Sequence, residues 1–173
     1  MQTTKHELSP YETSFFNKLK YYLDIPLYFY GSIQRNDYFK GESDIDVAIF
    51  TDNVTSTIFK LQTFLNVDKY KTKKTIWKSF NSNYVVHGHK LMYKDVYNNL
   101  RVEFSIYNEK YKDEILRDHT RKTTLPYYSS IMLIILKFLF YKLNIISKDT
   151  YRVLKKKILS TISGISHDDF ITI

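Results

Sequence analysis

Leu27-Tyr28-Phe29-Tyr30-Gly31-Ser32 and, after an eleven-residue spacer, Asp44-Ile45-Asp46-Val47-Ala48-Ile49-Phe50 are the two runs from which the architecture is read. The first is a short apolar strand that delivers the chain to a glycine-serine turn. The second alternates, with Ile45, Val47 and Ile49 on one face and Asp44, Asp46 and Ala48 on the other, so it is a strand with one acidic edge. Carboxylates two residues apart on a strand project side by side from the same face, and like charges that close are costly unless a cation neutralises them. Hard oxygen donors in such a pair suit Mg²⁺ or Mn²⁺, whose octahedral shells are completed by water and substrate phosphates.

Outward from this centre, Ser9-Pro10-Tyr11-Glu12 joins a capping box to a proline at the first helical position. Tyr11, Phe15, Leu19 and Tyr22 then recur at helical spacing, which predicts a helix to about Leu23, stopped by Pro26. Asp52 or Asn53 can cap a helix striped by Val54, Ile58, Leu61 and Leu65. The stretch Lys69 to Lys78, where lysines interleave with Tyr70 and Trp77, reads as a solvated loop, with a track for a phosphate backbone as the alternative. Tyr84 to Asp95 and Leu100 to Tyr107 read as a hairpin turning near Asn98-Asn99. Its second arm points Val102, Phe104 and Ile106 inward and Arg101, Glu103 and Ser105 to the opposite face. His87-Gly88-His89 sets two imidazoles on one strand face with no carboxylate nearby, and Gly88 suggests a bulge. Helices are predicted near Glu109 to Asp118, Tyr127 to Leu143 and Lys148 to Ile162. The expected fold class is α+β: a mixed or antiparallel sheet flanked by helices, with a C-terminal helical cap. Residues 1–125 form the core and 126–173 a helical segment packed on it, as a single compact unit.

Composition bounds what such a fold can do. At 173 residues one domain is expected, and 4 Gly plus 3 Pro with 43% apolar residues exclude a linker-like or disordered chain. The apolar run Ile131 to Ile146 is broken by Lys137, Lys142 and Asn144, short of the ~20 residues of a bilayer span, so no membrane partner is expected and Ile131 to Tyr141 reads as core. Zero cysteines and the lack of an apolar signal core in Met1 to Ser9 predict a reducing, cytoplasmic setting. A net charge of +8 attracts polyanions, and 16 Tyr and 12 Phe supply rings that can stack on unpaired bases. Arg152, Lys155 and Lys156 read as the wet face of the last helix.

Three further features bear on the acidic strand. Gly31 lets backbone amides approach a phosphate, Ser32 adds a hydroxyl donor, and Arg35 follows within one turn to pair with phosphate oxygens. Glu103, between Val102 and Phe104, is a carboxylate on the polar face of a strand that can lie beside Asp44 and Asp46 and help deprotonate an attacking hydroxyl. Lys137 stands alone on an apolar helix, where its ordinary role is to snorkel to water.

Together Tyr30-Gly31-Ser32, the spacer carrying Arg35 and Gly41, Ser43-Asp44-Ile45-Asp46-Val47 and Val102-Glu103-Phe104 resemble the signature of the DNA polymerase beta-like nucleotidyltransferase superfamily. The Ser-Asp-Ile-Asp run looks most like minimal nucleotidyltransferases and the catalytic cores of RNA-tailing enzymes; Asn36 departs from the glycine that minimal relatives often carry after the arginine. The resemblance implies that Asp44 and Asp46 bridge two Mg²⁺ or Mn²⁺ ions, that Glu103 ligates the ion nearer the attacking hydroxyl, and that Gly31, Ser32 and Arg35 hold the triphosphate. Leu136-Lys137-Phe138 resembles the helical segment by which RNA-tailing relatives bring a lysine to the terminal phosphates. The implied reaction moves a nucleoside monophosphate from a nucleoside triphosphate such as ATP to a hydroxyl. RNA is the leading acceptor; a protein hydroxyl, as in toxin-antitoxin AMP transfer, a small molecule, and an inert nucleic-acid-binding module of the same fold are the alternatives. Oligomeric state is not legible.

Overall fold

The expected capping box closes at the first helix, α1 (Pro10–Leu23): the Ser9 hydroxyl accepts from the Glu12 amide at 3.2 Å, and Glu12 Oε2 accepts from the Ser9 amide at 2.6 Å. The structure, a computed structural model, describes residues 2–78, 85–163 and 170–172. After α1 come β1 (Leu27–Tyr30), a 3₁₀ turn over Gly31–Gln34, β2 (Ile45–Thr51), α2 (Val54–Leu65), β3 (Thr72–Lys78), β4 (Val85–Asp95) and β5 (Leu100–Asn108). Helices α3 (Lys112–Thr123), α4 (Tyr127–Tyr141) and α5 (Lys148–Ser163) and a short β6 (Phe170–Thr172) complete the order. Asn53 caps α2 by accepting from the Ser56 amide at 3.1 Å.

The strands form one mixed sheet, ordered β1-β2-β5-β4-β3-β6, in which β2 and β5 are parallel and every other neighbouring pair is antiparallel. The parallel pair needs a long crossover, and here the hairpin strands β3 and β4 lie within it. Alternation divides the sheet into two faces. On one, Ile45, Val47, Ile49, Val102, Phe104 and Ile106 pack with Leu19 of α1 and Leu61 of α2, all with 0–1% exposure. On the other, Tyr28, Ala48, Phe50, Val86, Trp77 and Tyr107 pack with Ile115 of α3. Asp46 and Glu103 belong to this second face, by strict alternation from Ala48 and Ser105.

Four expectations are corrected or bounded. Residues 72–78 form a strand rather than a loop: Thr75 and Trp77 are buried while Lys73 and Lys74 stay exposed, and lysines of this kind are common toward a sheet margin. Gly88 makes no bulge, since its register runs unbroken from Thr75 to Tyr107; a Cβ there would strike the Tyr107 ring, so glycine serves packing. The Ile131 to Tyr141 run is only partly core, because Leu133 and Leu136 are buried whereas Ile131, Met132, Ile135 and Phe138 are 38–52% exposed. The packed side of α4 is thus one narrow stripe, and among the described residues no single helix is long and apolar enough to cross a membrane. The expected strand start at Tyr84 lies outside the described residues.

Candidate active site

Sheet register brings the distant motifs together. Tyr30, the last residue of β1, pairs with Asp46 on β2, and Asp46 pairs with Glu103 on β5. Asp44 precedes β2 by one residue and points with Asp46. Gly31 has φ of +72°, and a Cβ at this position would overlap the Asp46 carboxylate. Glycine is therefore required twice, by backbone conformation and by the close approach of an acid. The sequence suggested an opening for phosphate at Gly31; in the fold the first neighbour filling it is Asp46.

The acids are not balanced within the chain. Burial, then the charge of Glu103, raises the Asp46 carboxyl well above the usual carboxylate range, and the same two causes raise Asp44. Lys90 on the adjoining strand forms an ion pair with Glu103. Neither Asp44 nor Asp46 has an ion pair among the described residues. The donor set fits a hard divalent cation: two oxygen donors side by side, with carboxyls whose negative form is under-stabilised until a positive charge arrives. Among the described residues no three His, Cys, Asp or Glu side chains stand close enough to enclose an ion. The rest of such a shell would fall to substrate and solvent.

A cationic cluster lines the same cleft. Arg35 holds Asp37 in a forked pair, Nε donating to Oδ1 at 2.7 Å and Nη2 to Oδ2 at 3.1 Å. Lys137, reaching in from α4, stands 3.0 Å from Asp37 Oδ2 and donates to the Asp37 carbonyl at 2.5 Å and to Ser43 Oγ at 3.3 Å. Lys137 is 2% exposed, so it does not snorkel. Burial brings its ammonium down to about 8 despite Asp37. Burial would raise Asp37, but the Arg35 hydrogen bonds and charge, followed by Lys137, hold it at about 2. Two cations share one carboxylate here, leaving a positive surplus.

Both clusters line one cleft of about 280 Å³, together with Gly31, Ser32 and Lys155. Its inner wall is aromatic: Tyr30 stacks on His119 with centroids 3.9 Å apart, and Tyr30 Oη bonds Ser105 Oγ at 2.9 Å. Burial, then Lys122 and Lys90, lowers His119 to about 3, so its imidazole is neutral at physiological pH. All seven residues singled out from sequence, Gly31, Ser32, Arg35, Asp44, Asp46, Glu103 and Lys137, line this cleft. The sequence did not point to Asp37, Lys90 or His119. Arg35-x-Asp37 carried a local signal, a carboxylate two residues from its partner; Lys90 and His119 carried none, because only β4–β5 register and α3 docking bring them in.

A family model described as a nucleotidyltransferase domain matches residues 14–125. No curated protein matches. Among solved structures, the polymerase core of TRAMP, an RNA surveillance complex, aligns over 94% of this chain and 55% of its own, at 15% identity and a TM-score of 0.43. The STING-associated CdnE c-di-GMP synthase of Capnocytophaga granulosa aligns over 96% of this chain and 57% of its own, at 16% identity and a TM-score of 0.34. The chain thus spans little more than half the length of either structure.

Proposed function

Because this chain belongs to the nucleotidyltransferase domain family, we propose that it transfers a nucleoside monophosphate from a nucleoside triphosphate to a hydroxyl acceptor, RNA first among acceptors. The observation that carries the proposal is the cross-strand pairing of Asp46 with Glu103 in a cleft that also holds Gly31, Ser32 and the buried Lys137. An acidic half and a cationic half within one small volume match a triphosphate bound together with its counter-cations. The net charge of +8 supports a polyanionic acceptor.

In this proposal Asp44 and Asp46, joined by Glu103, hold Mg²⁺ or Mn²⁺, two ions in all. When bound, such ions stabilise charge on the attacking and leaving oxygens. Gly31 and Ser32 receive the phosphates, while Lys137, kept in place by Asp37 and Ser43, and Arg35 offset their charge. The acceptor oxygen attacks the α-phosphorus in line, the bond to the β-phosphate bridging oxygen breaks, and pyrophosphate leaves. Glu103 receives the hydroxyl proton. Tyr30 and His119 form a packed wall that keeps water from the inner end of the cleft.

The test is incubation with each of the four labelled nucleoside triphosphates, Mg²⁺ or Mn²⁺, and either an RNA oligonucleotide or cell lysate. Label should enter RNA, and the double substitution Asp44→Ala with Asp46→Ala should abolish it. Undiminished incorporation by that variant would overturn the catalytic assignment, and label in protein alone would replace RNA as acceptor.

A further inference from the structure

Beyond Asp44 the cleft widens into a second groove of about 820 Å³ between the end of the β4–β5 hairpin and α5. Lys94 and Arg101 line its sheet wall, and Lys148, Arg152, Lys155 and Lys156 line its helical wall. The four helical cations fall at spacings of four, three and one along α5 and so occupy one helix face. From Lys148 to Lys156 that stripe is about 12 Å long, spread as successive phosphates are rather than gathered on one. Among the described residues two carboxylates line the groove, Asp44 at its inner end and Glu42, and exposed Asp149 of α5 stands 3.8 Å from Arg152 Nη1. Glu42 is engaged by Arg101, whose Nη1 donates to its carbonyl at 3.1 Å and whose Nη2 stands 4.0 Å from its carboxylate. Arg101 Nε is buried without a hydrogen-bond partner. Tyr141 and Tyr151 stand where the groove joins the smaller cleft, and Lys155 lines both.

The charge exceeds what a donor nucleotide needs. A nucleobase is neutral, and the triphosphate has Arg35 and Lys137 in the smaller cleft. We propose that this groove binds the phosphate backbone of single-stranded nucleic acid and leads its terminal hydroxyl to Asp44, with Tyr141 as a stacking platform. The acceptor role rests on the nucleotidyl-transfer reading; the binding of single strands stands without it.

The test measures anisotropy of a labelled oligouridylate of about twelve nucleotides across a salt series, with ATP binding measured separately. Arg152→Ala with Lys156→Ala should weaken RNA binding at least ~10-fold at low salt and reduce the salt slope by about 1.4, two contacts at ~0.7 each, with ATP binding unchanged. Lys94→Ala with Lys148→Ala should weaken it in the same direction from other parts of the groove. Unchanged RNA affinity in both variants overturns the proposal, as does loss of ATP binding alone. Equal competition by polyglutamate of similar length also overturns it, since the groove would then be a general anion sink. Asp46→Asn separates the two readings: RNA binding kept with incorporation lost supports both, whereas incorporation kept sinks the transfer reading and leaves the groove to be decided by the binding data.

Discussion

The Asp37 cluster and the Asp46 cluster both give side chains to the same cleft, yet they differ in how their charge is settled. Around Asp37 two cations share one carboxylate, every partner is named by a direct bond, and the acid is held at about 2. Around Asp46 the one ion pair among the described residues is that of Glu103 with Lys90, and burial pushes both Asp44 and Asp46 up despite the more distant charge of Lys155. A folded chain normally pairs its interior charges or neutralises them. One cluster does so and becomes framework; the other leaves its charge open. The lesson is that an interior charge unmatched by the chain marks the place where a ligand supplies the match.

The largest expected effect breaks the comparison on the acidic side. Asp46→Asn should cut nucleotide incorporation by at least ~10³-fold, about 4 kcal/mol of barrier, while the protein stays folded by circular dichroism. If activity survives, the open charge is not the reaction centre. Next comes the paired side: Asp37→Asn strands Arg35 and Lys137 in the interior and should destabilise the protein by about 3 kcal/mol in denaturant titration. A loss below about 1 kcal/mol would mean that this cluster is not framework.

Acid titration sharpens the contrast, since the two aspartates have opposite limbs. Asp37 is lowered in the fold from 3.8 to about 2, so its stabilisation is complete above about pH 4 and is lost as pH falls toward 2, by about 2 kcal/mol. Asp37→Asn should remove that limb. Asp46 is raised from 3.8 to about 7, so the folded metal-free protein holds a proton that the unfolded chain has released, and stability should fall between about pH 4 and pH 7. Asp46→Asn should flatten that decline. The smallest effect is metal addition. Mg²⁺ at about ten times its dissociation constant should stabilise the wild type by about 1.4 kcal/mol at pH 8 and leave Asp46→Asn nearly unmoved, as read by thermal unfolding. Equal stabilisation of both proteins would place the ion elsewhere.

Much of this was legible before the fold was known, and the reasons differ from element to element. The capping box at Ser9, the cap at Asn53 and the turn at Asn99, with φ of +51°, are local devices, so neighbouring residues sufficed. Asp44 and Asp46 were legible because strand alternation alone sets them side by side. Strand β3 was missed because its lysines mask an alternation whose buried members are Thr75 and Trp77. Gly31 was singled out correctly, but its tightest neighbour proved to be a carboxylate rather than an open space. Arg152 and Lys156 are on a wet helix face as read, with Lys155 half-buried beside them, and that face also lines a groove, because helical periodicity gives the face and says nothing of what stands opposite.

Chain order and side-chain chemistry by themselves determined which strands carry acid, where glycine must bend the backbone, and that the surface repels cations and draws polyanions. These follow from spacings of two to four residues and from composition, which act over a few ångströms or over the whole field. Only tertiary structure decided that Glu103 meets Asp46 through a parallel pair, that Lys90 occupies Glu103, and that Lys137 is drawn inward onto Asp37. Those contacts depend on sheet register and helix docking, where burial of apolar faces sets the geometry and charges separated by long stretches of chain are carried to their partners.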